Sequence, residues 1–259
     1  MVQIHILASG STGNAIFLAM GSTRILIDAG ISARRIEQGL AEIGVRAGEL
    51  DAILLTHEHS DHIKGLEVLS RKHELPIYTR ERTWEAIPFK DKLAGRRWQP
   101  IDQDFSVGEL AVKAFGISHD AADPVGFCFY YQQVKWVVVT DLGIVTPGVE
   151  RALKEADLAV LESNHDPDLL KNGPYPEFLK KRIAGKQGHL SNFDTAALLC
   201  RIARYKRMQV FLAHLSQQNN RPQLAEQTVA GILTQEGCCP GEDIVLHRTY
   251  PDQAVGVSF

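Results

Sequence analysis

Thr56-His57-Glu58-His59-Ser60-Asp61-His62 sets three imidazoles and the Asp61 carboxylate within six residues, directly after Ile53-Leu54-Leu55. The apolar triplet reads as the end of a buried strand. The polar stretch is then a loop at the strand end, where His57, His59, Asp61 and His62 can turn toward one point. Imidazole nitrogen and carboxylate oxygen suit zinc, manganese or iron, whereas a structural zinc site would be rich in thiolates. A chance polar loop rarely has four ligand-type residues at His-x-His-x-Asp-His spacing, so this stretch is read as a metal site.

The bounds around it are broad. A chain of 259 residues with 44% hydrophobic content can bury a full core, as one large domain or two small ones. A formal net charge of −3 gives no global electrostatic case for nucleic acid, so such a partner needs a local basic patch. The start, Met1-Val-Gln-Ile-His-Ile-Leu, lacks the charged and apolar regions of a signal peptide. No apolar run approaches the ~20 residues of a membrane span. Cys128, Cys200, Cys238 and Cys239 form no C-x-x-C pair and are expected to be free, buried thiols. The expectation is a soluble, cytoplasmic protein without membrane contact.

Outward from the metal loop, residues 3–8, 15–20, 24–28 and 51–55 read as strands and 33–43 as a helix. Residues 62–73 read as one helix with Ile63, Leu66 and Leu69 on one face, and 75–78 as a strand. From 98 to 140 the pattern is β, with strands at 105–107, 110–115, 126–131 and 136–139. Helices at 148–156, 192–205 and 223–235 alternate with strands at 157–161, 210–212 and 244–246. Helix-covered strands in both halves suit a layered α/β/β/α sandwich. No repeat or linker divides the chain, so residues 1–259 are expected to be one domain.

The His-x-His-x-Asp-His motif resembles the signature of the metallo-β-lactamase superfamily, which implies the same four-layer α/β/β/α sandwich. It also implies a two-metal site completed by a third histidine, a bridging aspartate and a late histidine, each just past a strand. His119, Asp141 and His214 stand at those points. By resemblance, His57, His59 and His119 hold one metal and Asp61, His62 and His214 the other, with Asp141 bridging. Two divalent cations about 3.5–4 Å apart would share a hydroxide that attacks an ester, amide or phosphodiester, a choice the ligands leave open.

Three further stretches bear on the substrate. Residues 8–15, Ala-Ser-Gly-Ser-Thr-Gly-Asn-Ala, suit a β-turn or a phosphate-holding loop through Ser9, Ser11 and Asn14. Residues 161–166, Leu-Glu-Ser-Asn-His-Asp, suit a capped helix start or a site containing Asn164 and His165. In Gly188-His-Leu-Ser-Asn-Phe-Asp194, Ser191 and Asp194 fit a capping box. The helix N-terminus there is an anion site, and His189 could contact a phosphate or protonate a leaving oxygen.

With His119-Asp-Ala-Ala and Ala213-His-Leu-Ser, these stretches resemble the YycJ/WalJ-type branch, bacterial exonucleases acting on DNA. The large domain that ribonuclease J relatives insert between the bridging Asp and the late His has no room in residues 142–213. The resemblance implies Asp61, Asp141 and His189 in the chemical step, with substrate contacts from Ser9, Ser11, Asn14, Asn164, His165, His189, Ser191 and Lys186. Lys180, Lys181, Arg182 and Lys186 form the basic cluster suited to nucleic acid. Arg96-Arg97 and Arg201, Arg204, Lys206 and Arg207 read as solvated faces. The alternatives are a superfamily hydrolase of small esters, thioesters, lactams or small phosphodiesters, or a nucleic-acid-binding protein with structural metals. Native metal, strand polarity, DNA against RNA and oligomeric state stay open.

Overall fold

The computed structural model describes residues 2–93, 97–203 and 206–259, and its contacts divide the chain into two units. One comprises the chain up to Ala114, with Ala121–Val125 and Tyr250–Phe259; the other comprises Phe115–Asp120 and Gly126–Thr249.

In the first unit the apolar runs pair as β1 (Val2–Ala8), β2 (Ala15–Met20), β3 (Thr23–Ile27), β4 (Ala52–Leu54), β5 (Ile77–Thr79) and β6 (Trp98–Pro100). A short C-terminal strand, β14 (Val255–Ser258), adds to β1, giving the mixed sheet order β14-β1-β2-β3-β4-β5-β6. Pairing is antiparallel from β14 to β3 and parallel from β3 to β6. Helix α1 (Ala33–Glu42) begins at Ser32, whose side chain accepts from the Arg35 amide. Its Ile36 and Leu40 join Phe17, Leu26, Ile53, Leu66 and Leu69 in the core.

The single helix expected over 62–73 is instead two, α2 (Ser60–Ile63) and α3 (Leu66–His73). They part at Gly65, whose amide donates to Ala29 O at 2.7 Å. A Cβ there would lie 2.3 Å from Ile31 O, so only glycine lets the strand end come so close. Helix α4 (Glu81–Ala86) and the hairpin β7 (Asp104–Val107)–β8 (Leu110–Gly116) follow.

The second unit carries β9 (Val125–Tyr131), β10 (Val134–Val139), β11 (Leu158–Glu162), β12 (Met208–Ala213) and β13 (Ile244–Arg248), adjacent in that order. Strands β10 to β13 are parallel and β9 is antiparallel to β10. Fully covered parallel strands need apolar residues on both faces, which Leu158-Ala-Val-Leu161 supplies. Helices α5 (Pro147–Leu153), α8 (Asn192–Ile202) and α9 (Pro222–Gln235) contribute Val149, Leu199 and Val229 to this core. Two short helices follow β11: α6 (Pro167–Asn172), whose start at Asp166 matches the capped helix start read in residues 161–166, and α7 (Glu177–Ile183), which the sequence pattern does not show.

All four cysteines are free; Cys128 is buried, Cys200 and Cys238 are half-buried, and Cys239 is exposed, which corrects the expectation of four buried thiols. No helix among the described residues is long and apolar enough to cross a membrane.

Candidate metal centre

In the first unit, β4 delivers the chain to His57 and α2 carries Asp61 and His62. The His57 ring lies 4.6 Å from that of His59 and 4.1 Å from that of His62, centroid to centroid. His62 Nε2 is 3.4 Å from Asp61 Oδ2, so the expected ligands of this loop do converge. His62 is fully buried, and its Nδ1 meets Asp28 Oδ2 at 2.7 Å. Asp28 also accepts from the Thr56 amide and hydroxyl, each at 2.9 Å. A carboxylate on Nδ1 fixes the proton there and leaves the Nε2 lone pair for a cation. Asp28, absent from the sequence expectations, is the orienting residue of this half.

The Gly/Ser loop holds the metal loop from below. Asn14 N donates to Asp61 O at 2.9 Å and Gly30 N to Asn14 O at 2.7 Å. The Asn14 Nδ2 lies 3.4 Å from Asp61 Oδ2 and 3.2 Å from His62 Nε2. Ser9 and Asn14 are buried, whereas Ser11 is exposed. The turn reading of residues 8–15 suits Asn14, which braces the loop of Asp61 and His62, and Ser9, whose Oγ donates to Asn14 Oδ1 at 3.5 Å.

In the second unit three donor atoms gather on one oxygen. His119 Nε2 lies 3.6 Å and His214 Nε2 3.5 Å from Asp141 Oδ1, and His189 Nδ1 lies 3.8 Å from it. Asp141 and His214 stand at the ends of β10 and β12 with φ of 58° and 53°, and Asp28 past β3 has φ of 59°. Non-glycine residues rarely adopt this left-handed conformation, and such outliers gather at functional sites.

Glu162, at the end of β11, is the second residue that the sequence reading missed. Its side chain is fully buried, with Oε1 taking His189 Nδ1 at 2.9 Å and His214 Nδ1 at 2.8 Å. Oε2 accepts from the Leu142 amide at 2.6 Å and the Leu190 amide at 3.1 Å. Burial pushes this carboxyl up, but His189 and His214, by charge and hydrogen bond, outweigh it and bring it down to about 2. Asp141, Glu162, His189 and His214 each place a donor atom within 4.8 Å of the others. Since both Oε atoms of Glu162 are already engaged, it orients the histidines.

The remaining expected residues divide. Asn164 Nδ2 donates to His214 O at 2.7 Å and holds the backbone of that histidine. His165 is buried, its Nδ1 has no hydrogen-bond partner, and burial lowers its pKa. Ser191 caps α8 in a capping box with Asp194, as expected. Asp166 caps α6, accepting from the amides of Asp168 and Leu169. Lys186 is exposed, and its carbonyl accepts from Ser118 Oγ at 2.6 Å. Arg182 pairs with Asp120 at 2.6 Å, a bond that raises its pKa. Of the other basic groups, Arg97 pairs with Glu74, Arg201 with Glu150 and Lys206 with Asp157, while Arg96 and Arg204 lie outside the described residues.

An all-imidazole and carboxylate donor set, with histidines fixed through Nδ1, fits divalent metal binding. The model of the β-lactamase superfamily domain matches residues 23–215. An exodeoxyribonuclease YycJ of Bacillus anthracis is 37% identical over 100% of this chain and 99% of its own. The exodeoxyribonuclease WalJ of Streptococcus pneumoniae is 38% identical over 97% and 96%. The metallo-β-lactamase fold protein YhfI of Bacillus subtilis superposes with a TM-score of 0.73 over 98% of this chain and 99% of its own, at 14% identity. The chain belongs to the metallo-β-lactamase superfamily and has its fold, two mixed sheets with helices in an α/β sandwich. Within that superfamily it is a metal-dependent hydrolase of the YycJ/WalJ type.

Proposed function

We propose that the protein is a DNA exonuclease working in the cytoplasm, with two divalent cations, zinc, manganese or iron, held by residues 1–259 acting as one functional domain. The observation that carries the reading is the near full-length likeness to two exodeoxyribonucleases. His57, His59 and His119 are assigned to one cation and Asp61, His62 and His214 to the other, with Asp141 shared. Bound there, the cations would acidify a water to serve as nucleophile and neutralise charge on the phosphate.

The protein's own residues do the rest. Asp28 and Glu162 hold His62 and His214 with Nε2 toward the ligand cluster. His189 has the same Glu162 anchor on Nδ1, yet its side chain is 18% exposed against 2% for His214. That combination suits a group that meets substrate, fixed through Nδ1 and able to pass a proton from Nε2 to the departing oxygen. Asp61, Asp141 and His189 are thus the residues of the chemical step. Ser11 and Lys186, both exposed, are assigned to phosphate contacts, with His165 lining the site. Asn14 bonds Asp61 and Asn164 bonds His214, while Ser9 meets Asn14 and Ser191 caps α8.

The test is Asp141→Ala. Hydrolysis of DNA should be lost while the circular dichroism of the fold is retained; a folded variant with wild-type turnover would refute the assignment.

A further inference from the structure

Arg182 is tied to the metal centre through both its backbone and its side chain. After α7 the chain turns back on itself to reach His189: Gly188 N donates to Gly185 O at 2.9 Å and His189 N to Ile183 O at 2.8 Å. A Cβ on Gly188 would lie 2.2 Å from Arg182 O and 2.1 Å from Ile183 O, so the turn requires glycine. The outer side of the turn meets the segment of His119. Ser118 Oγ donates to Lys186 O at 2.6 Å, and Ser118 O accepts from Gly143 N, two residues past Asp141, at 2.8 Å. His119 Nδ1 lies 3.4 Å from Gly188 O.

The Arg182 side chain closes the same cluster. Its Nε donates to Asp120 Oδ2 at 2.6 Å, while Asp120 Oδ1 lies 3.5 Å from His119 Nε2. Arg182 therefore joins the residue before His189 to the residue after His119. With the two side chains 57% and 31% exposed, the pair adds little to stability. Lys180 pairs with Glu177 at 3.2 Å, so two of the four cations over residues 180–186 are matched by local carboxylates. What the Arg182 pair controls is a carboxylate beside a ligand atom. His119 Nε2 must offer its lone pair to a cation, and a carboxylate that closed on it to hydrogen-bond distance would hold a proton there instead. The Gly188 carbonyl near Nδ1 favours the useful arrangement, with the proton on the far nitrogen.

We propose that Arg182 is a positioning residue of the metal centre and not a phosphate contact: its grip on Asp120 Oδ2 holds that carboxylate off His119 Nε2 and keeps the nitrogen open to the cation. The inference rests on the assignment of His119 to a metal above and adds a residue that no ligand motif contains.

The experiment titrates manganese into the metal-stripped protein by calorimetry and, in parallel, measures kcat, KM and the salt dependence of duplex DNA binding. Arg182→Ala should bind manganese about 10- to 100-fold more weakly, as loss of an outer partner of a ligand typically does, with kcat falling at limiting metal. At saturating metal, its KM for DNA and its slope of log affinity against log salt should stay at wild-type values. The contact is a single N–H···O bond, so Arg182→Lys should recover most of the metal affinity. Arg182→Ala combined with Asp120→Ala removes the competing carboxylate along with its holder and should recover it too, which a lost packing or phosphate contact would not allow. Arg182→Ala with wild-type metal affinity, or a double variant no better than the single one, overturns the proposal. A raised KM with a salt slope lower by about 0.9 overturns it as well, in favour of a phosphate contact. Wild-type protein that takes up manganese and follows the expected pattern but degrades no DNA would refute the nuclease reading and leave the role of Arg182 standing.

Discussion

Replacing Glu162 by Gln tests how the second half of the centre is set. The two side chains have the same shape, but Gln carries one acceptor and one donor where Glu162 has two acceptors. In the protein, Oε2 takes two backbone amides and Oε1 takes two imidazole Nδ1 atoms. Whichever way the amide turns, its NH2 faces two groups that donated to Glu162. Hydrogen bonds to charged groups are worth about 1.5–3 kcal/mol, so losing two costs on the order of 3–6 kcal/mol before relaxation. The relaxation open to the site is a tautomer change. If the amide donates to His214 Nδ1, the imidazole proton moves to Nε2 and the ligand atom is blocked. Disturbing such an outer carboxylate typically weakens metal affinity or activity about 10- to 100-fold. At roughly 2–4 °C per kcal/mol for a chain of this size, the melting temperature should fall by on the order of 10 °C. Calorimetric melting with and without manganese, metal titration and turnover measure the three effects. A Gln variant with wild-type metal affinity and turnover would refute Glu162 as the orienting group.

The same carboxylate sets an acid limit. Its folded pKa is held near 2, below the ordinary 4.5, so its contribution is fully present above 4.5 and lost as pH falls toward 2. The metal-free protein should therefore lose stability through that window, and Glu162→Gln should flatten the loss; urea melts against pH measure it. In the first unit, Asp28→Asn should cut metal affinity about 10- to 100-fold while changing the fold little, read by metal titration. Gly30→Ala would place a Cβ 1.6 Å from Asp61 O. The ligand loop must move, so the variant should lose on the order of 1–3 kcal/mol or more in a urea melt, together with its metal. Chelation should lower the wild-type melting temperature, and excess metal should restore it, since a ligand of the folded state alone stabilises it.

The metal loop was legible because its four ligand-type residues, three His and one Asp, lie within six positions and follow an apolar strand. His119, Asp141 and His214 were legible only as a set, each being one polar residue at a strand end. Asp28 and Glu162 gave no such signal. Their partners lie 34 residues away for Asp28 and 27 and 52 for Glu162, and local spacing cannot report a pairing that the fold creates. The two were nonetheless marked by their position, a charged residue ending a run of buried ones. Helix α7 was missed because it buries nothing and so shows no apolar period. Strand β14 was missed because Val255-Gly-Val-Ser is too short to read apart from its pairing with β1. The 62–73 helix broke where Gly65 meets the strand end, a contact from outside the helix.

The central claim, a metal-dependent DNA exonuclease, is tested most directly with end-labelled single- and double-stranded DNA and the metal-stripped protein, reloaded with manganese or zinc and sampled over time. The account predicts products that shorten nucleotide by nucleotide from one end, and only after reloading. DNA left intact under both metals, alongside turnover of a simple ester or thioester, would contradict it.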